Sequence, residues 1–196
     1  MLLLTLGEVK KMNINLIEYI HSTKKFAKVW ESACKNHRIL YFQLNKEDEG
    51  IAAHFHPYGE DSALVLQGEL TYDISFDQQI VASENNVLFG WTNNVHGYHN
   101  VHENPLHILV FATPENNPSE YKRERLPKQS LSQVRIIDVL ANMSNIESPR
   151  MLFSTMAPTN FTNCISIHLE SKILKVLNPF ENNPPDEDGE LFITFK

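Results

Sequence analysis

The chain has 196 residues, 42% of them hydrophobic and 21% charged, with a formal net charge of −7. That length accommodates one domain, or one domain with an extension, and can bury a sizeable core. The acidic balance argues against nucleic acid or an anionic membrane as partner, since both demand a basic face, and no apolar run approaches the length of a membrane span.

The N-terminal Met-Leu-Leu-Leu-Thr-Leu is too short for the apolar region of a signal peptide and has no basic segment before it. The two cysteines, Cys34 and Cys164, lie far apart without a CxxC pair, which points to reduced thiols. Together these features predict a cytoplasmic protein. Over residues 13–35 the apolar positions Ile14, Leu16, Ile17, Tyr19, Ile20, Phe26, Val29 and Trp30 recur at helical spacing. They predict one or two short helices packed on the outside of the remaining chain. Strands are predicted at 38–44, 51–56, 62–67, 70–75, 80–82, 87–89, 96–100 and 106–112, the last being the most apolar. Polar, Gly- or Pro-containing turns separate them, and 91–95 is read as a loop. Many short strands with regular turn signals indicate an all-β barrel or sandwich.

The division expected is a helical segment at 1–36, a barrel at 37–115, a linker at 116–133 and a β-rich extension at 134–196. Within the extension, 134–143 is read as a strand running into a helical turn. Further strands are predicted at 150–155, 163–169, 172–177 and 190–195, and the Pro- and acid-rich stretch 178–190 is read as a loop.

The chemistry concentrates in His54-Phe55-His56-Pro57-Tyr58-Gly59-Glu60-Asp61 and, forty residues later, His96-Gly97-Tyr98-His99-Asn100. Residues two apart on a strand point to one face, so His54 and His56 aim side by side while Phe55 faces away. Two imidazoles, a carboxylate behind them at Glu60 or Asp61, and the remote His96 form a donor set suited to a divalent transition metal. On the same alternation His99 faces away from His96, whereas Tyr98 and Asn100 share its side. Asn100 is read as a hydrogen-bonding brace of the barrel, and Tyr98, Phe89, Trp91 and Tyr41 as core or pocket-lining residues.

These two stretches resemble the paired motifs of the cupin superfamily. The first runs from Gly50 through His54, His56 and an acid to Gly68. The second ends in His96, with Asn100 after it, and the likeness covers about residues 38–113. Three residues rather than the family's usual five separate Gly50 from His54, and Trp91-Thr92-Asn93 stands where the family has Pro-x-Gly. Asn93 is a stand-in that tolerates a left-handed backbone. Counting back from Gly68 by the family's gap selects Asp61 as the acid.

The resemblance implies a jelly-roll barrel holding one divalent metal (Fe, Mn, Ni, Co or Zn) on His54, His56, Asp61 and His96, with a small-molecule ligand and a homodimeric assembly. Glu60, when it is not a ligand, would be a general base beside the metal. The reaction expected is that of an oxygenase, isomerase or lyase, or else binding without turnover as in a sensor. The C-terminal residues lack the HxH motif and contain only His168. They resemble the opening half of a second cupin barrel, with 178–181 where ligands would stand. Alternatively they form an extension that packs on the barrel or swaps onto a partner chain.

Overall fold

The computed structural model describes residues 12–48, 50–75, 78–90, 96–113, 119–120, 136–139, 145–148, 150–159, 161–177 and 188–196. The predicted loop at 91–95, most of the predicted linker at 116–133 and the stretch 178–187 lie outside the described residues. Strand β1 (Met12–Asn15) and the one-turn helix α1 (Ile17–Ile20) precede β2 (Phe26–Glu31) and β3 (Arg38–Leu44). Next come β4 (Ile51–Phe55), β5 (Asp61–Gln67), β6 (Leu70–Ser75), β7 (Gln78–Ala82), β8 (Asn86–Gly90), β9 (His96–His99) and β10 (Leu106–Ala112). The remaining strands are β11 (Ser119–Glu120), β12 (Ile136–Asp138), β13 (Asn145–Glu147), β14 (Met151–Ser154), β15 (Asn163–His168), β16 (Ile173–Leu177) and β17 (Glu190–Phe195).

These strands form three sheets. The front sheet has the order β11-β4-β9-β6-β7, the middle sheet β12-β8-β5-β10-β3-β2, and the back sheet β1-β16-β15-β17-β14-β13. Front and middle sheets enclose the barrel interior, where Tyr72, Tyr98 and Leu70 meet Ala63, Val65, Leu88, Ile108 and Val110. The middle sheet's other face packs on the back sheet. There Leu64, Leu66, Val87, Phe89, Leu109 and Phe111 join Phe153, Ile165, Ile193 and Phe195 in one buried cluster. Phe153 receives the rings of Phe89 and Phe111 at centroid distances of 5.0 and 5.8 Å.

This layering explains the continuous apolar run of β10. Ile108 and Val110 fill the barrel while Leu109 and Phe111 fill the seam behind it, so neither face is left for polar residues. The two turns that bound the first motif each carry a left-handed glycine, Gly50 at φ 78° and Gly68 at φ 90°.

The helices predicted over 13–35 reduce to the single turn α1. The stretch from Phe26 to Glu31 is instead the edge strand of the middle sheet, paired with β3. A register shift between Lys28 and Trp30 breaks its alternation. Val29 is thereby buried, and Trp30 stacks on Phe195 at 5.7 Å. That bulge mimics helical spacing in the sequence, and pairing with β3 overrides local propensity. The strand β1 likewise leaves the N-terminal segment to pair with β16, closing one edge of the back sheet. After the predicted linker, β12 returns to the middle sheet beside β8 before the chain enters the back sheet. The C-terminal strands described lie in that one sheet, laid against the barrel. Both cysteines are free, Cys34 exposed and Cys164 buried.

His37 sits in the seam between middle and back sheets, stacked on Phe195 at 4.9 Å, and neither ring nitrogen makes a hydrogen bond to the described residues. Burial, and secondarily the charge of Arg150, lowers its pKa from 6.5. A lowered imidazole pKa favours the neutral form in the fold, so stability is retained above the unfolded pKa and lost as pH falls through the folded one. Buried His107, bonded to Tyr41 at 2.7 Å, shifts the same way through burial and then His21. His37→Phe is therefore expected to flatten, without abolishing, the loss of stability between pH 7 and 5 measured by urea unfolding. An unchanged slope would show that His37 is not part of it.

Candidate metal centre

The four predicted ligands come from three separate strands and meet where front and middle sheets converge. His54 lies near the end of β4 and His56 just beyond it. His96 opens β9, directly opposite His54 in the antiparallel ladder. Asp61 opens β5 in the middle sheet, opposite Gly90. Because Asp61 shares parity with Ala63 and Val65, its side chain faces the barrel interior.

All four residues are buried, and one donor atom from each lies within 4.8 Å of the others. Asp61 Oδ1 is 2.8 Å from His96 Nε2, and Asp61 Oδ2 is 3.1 Å from His56 Nε2 and 3.8 Å from His54 Nε2. The rings of His54 and His96 are 4.4 Å apart, those of His54 and His56 4.9 Å, and those of His56 and His96 5.3 Å.

The surroundings orient this set. His54 Nδ1 donates to the carbonyl of Ala52 at 2.7 Å, which turns Nε2 toward the cluster. The Tyr98 hydroxyl donates to Asp61 Oδ1 at 3.3 Å. The Tyr72 ring lies parallel to that of His96, 11° between planes and 6.4 Å between centroids. Burial by itself would raise the pKa of Asp61. The charge of His96 and the closeness of the His54, His56 and His96 imidazoles outweigh it and hold the carboxyl well below its usual range. Burial, and then the Asp61 charge, pushes the Tyr98 hydroxyl well above its usual range, so it stays a donor.

Gly90 is part of the site for a steric reason. A β-carbon there would press on Asp61 Oδ1 and lie 2.6 Å from the Asp61 carbonyl oxygen and 3.2 Å from His96 Cε1. Only glycine lets β8 pass so close to two members of the cluster. Neither Gly90 nor the Tyr98–Asp61 bond is assigned by motif reading, although Tyr98's parity with His96 places it on the right face.

A buried set of three imidazoles and one carboxylate is compatible with a divalent transition metal. One carboxylate cannot satisfy three buried rings as completely as a shared cation does.

Glu60, expected as a general base beside the metal, is not in the His54, His56, Asp61 and His96 group. Glu60 is fully buried, but its Oε2 accepts a hydrogen bond from Ser148 Oγ at 2.5 Å, at the entrance to β14 in the back sheet. It precedes Asp61 by one residue, so on an extended chain its side chain leaves by the opposite face. Of the two carboxyls, Asp61 is the one that lies with the three imidazoles. Other expectations are met. Asn100 braces the barrel, donating to the carbonyls of Leu44 and Asn104 and accepting from the His102 amide. His99 faces outward and pairs with Asp73 at 3.2 Å. Phe89 and Tyr41 face the back sheet rather than the pocket, and Trp91 and Asn93 lie outside the described residues.

No family model matches the chain, and no curated protein does. Solved structures do. A cupin 2 conserved barrel domain protein from Leptotrichia buccalis superposes with a TM-score of 0.56 at 13% identity, covering 94% of this chain and 96% of that one. The putative glyoxylate-induced protein from Pseudomonas aeruginosa gives 0.55 at 9% identity, over 87% of this chain and 80% of that one. At such identities the likeness speaks for the fold. It spans nearly the whole chain, back sheet included, and agrees with the paired motifs that meet at the cluster. The chain therefore has the cupin fold.

Proposed function

We propose that this protein is a metal-dependent cupin that acts on a small polar molecule. The observation that supports this is the convergence of His54, His56, Asp61 and His96 from three strands into one buried set. A bound divalent metal would supply a Lewis acid that polarises a substrate oxygen or activates water or dioxygen, the basis of oxygenase, isomerase or lyase chemistry. The chain's own contribution is to aim His54 through Ala52, to hold the carboxylate through Tyr98 and to keep Asp61 ionised. Fe, Mn, Ni, Co and Zn all suit this donor set. We take the assembled form to be a homodimer, which sedimentation would test.

One observation favours a second reading, binding without turnover. Glu60, the carboxyl expected to serve as general base, is engaged with Ser148 instead. A ligand that stabilises the loaded protein but is never consumed would favour that sensor reading over the enzyme.

Metal analysis of purified protein tests the shared premise. About one equivalent of a divalent transition metal is expected, lost from His54→Ala and His56→Ala while circular dichroism stays that of the wild type. Protein that takes up no metal, or variants that keep it, would sink the proposal.

A further inference from the structure

Between His56 and Asp61 the chain has only residues 57–60 in which to cross from the front sheet to the middle sheet. Two of these residues are held from the far side of the middle sheet. Ser148 Oγ donates to Glu60 Oε2, and Arg150 Nη2 donates to the carbonyl of Tyr58 at 3.0 Å.

Ser148 is itself fixed for this contact. Its hydroxyl oxygen accepts from the amides of Arg150 at 3.2 Å and Met151 at 2.9 Å, and of the two acceptors within reach of its proton Glu60 Oε2 at 2.5 Å is nearer than the Met151 carbonyl at 3.2 Å. Its carbonyl accepts from Lys196 Nζ at 2.7 Å, tying it to the end of the chain. The Glu60 backbone is separately locked to Thr113, whose amide and hydroxyl donate to the Glu60 carbonyl at 2.9 and 3.1 Å and whose hydroxyl accepts from the Glu60 amide at 2.8 Å. A fully buried carboxyl is costly without partners, so the loop holds the geometry that keeps its bond to Ser148. The next residue is the sole carboxylate of the cluster.

We infer that the back sheet positions the candidate metal centre, with Ser148 and Arg150 as positioning residues that hold the 57–60 loop and hence Asp61. This role rests on the metal reading and brings the C-terminal residues into it. The metal affinity of the barrel then depends on side chains that contact none of the four ligands.

The test uses the full chain with Co(II) as probe, comparing wild type, Ser148→Ala, Ser148→Thr and Lys172→Met. Lys172 also ties the back sheet to the barrel, through Glu84 at 2.8 Å and Asn85 at 3.2 Å, but involves neither the cluster nor the 57–60 loop. Ser148→Ala should weaken Co(II) binding about three- to tenfold, less than the roughly ten- to hundredfold seen for partners bonded directly to a ligand. It should also alter the Co(II) visible spectrum and speed amide exchange at 58–61 in the metal-free protein. Ser148→Thr, which keeps the hydroxyl, should restore all three. Lys172→Met should lower Tm without changing the spectrum or the affinity.

If Ser148→Ala matches wild type in affinity and exchange, the inference is overturned. It is equally overturned if Lys172→Met weakens Co(II) binding as much at the same loss of Tm, since the effect is then one of stability alone. Wild type that binds no Co(II) overturns the metal reading itself, and this role with it, whatever the exchange data show.

Discussion

Gly90→Ala is expected to damage both the fold and the candidate site. The added methyl meets the Asp61 carbonyl oxygen at 2.6 Å and His96 Cε1 at 3.2 Å, besides the Asp61 carboxylate. The carbonyl belongs to the β5–β8 ladder and cannot swing aside as a flexible side chain would. Overpacking of this kind costs about 2 kcal/mol. Any relief moves Asp61 or His96, and a site of this kind tolerates shifts of only about 0.5 Å. Metal affinity should therefore fall about ten- to a hundredfold. Urea unfolding and a Co(II) titration read the two effects. Gly189→Ala is the control. Its β-carbon meets nothing within 4 Å, so only the positive φ of 82° is strained, at about 1 kcal/mol, with metal binding unchanged. Normal metal binding by Gly90→Ala would mean that the approach of β8 does not shape the site.

Asp61→Asn is expected to remove the metal while leaving the side chain's shape. Asp61 is the only carboxylate in the cluster and lies within hydrogen-bond distance of His96, His56 and Tyr98. Replacing a charged oxygen ligand by an amide should lower divalent-metal affinity on the order of a hundredfold, or about 2.7 kcal/mol. The metal-free protein carries a second signature. Asp61 titrates well below 3.8 in the fold, so it contributes stability that is present above the unfolded carboxylate pKa and lost as pH falls through the lower folded value. Asp61→Asn lacks that contribution, and its stability should change less than that of wild type between pH 5 and 3. Equilibrium unfolding across that range is the measurement. Parallel acid limbs for the two proteins would show that Asp61 is not held ionised by the imidazoles.

The legibility of the site depends on how its parts are encoded. His54 and His56 are a local pattern, because the two-residue period of a strand puts them on one face before any tertiary information is used. His96 is remote, and its membership was legible through the resemblance of the paired stretches to the cupin motifs. Asp61 needed the counted gap to Gly68, and the structure supports it by parity with Ala63 and Val65. Glu60 was expected beside the metal and its side chain lies against Ser148, since adjacency in sequence is not adjacency in space on an extended chain. One residue of displacement moves a side chain from the barrel interior to the seam behind it. Gly90 was invisible as a functional position because what it contributes is absence of volume, meaningful only once Asp61 and His96 are in place.

The fold divides in the same way. The amino-acid sequence alone determined the all-β class, most strand positions and the candidate ligand set. The strands depend on alternation and turn residues, which are properties of short stretches, and the ligand set also needed the resemblance to the paired cupin motifs. The tertiary structure decided that residues 26–31 form a strand, because the edge of β3 supplies hydrogen bonds that a solvated helix would have to make within itself. It decided that the N-terminal β1 and the C-terminal strands share one sheet, a pairing across about 160 residues that no local pattern records. It also decided what that sheet does. The back sheet buries the outer face of the barrel and, through Ser148 and Arg150, reaches the loop that carries Asp61 into the candidate metal centre. Long-range partners are selected by complementary surfaces that exist only after the strands have formed. For that reason the candidate ligands were legible in the sequence and their supports were not.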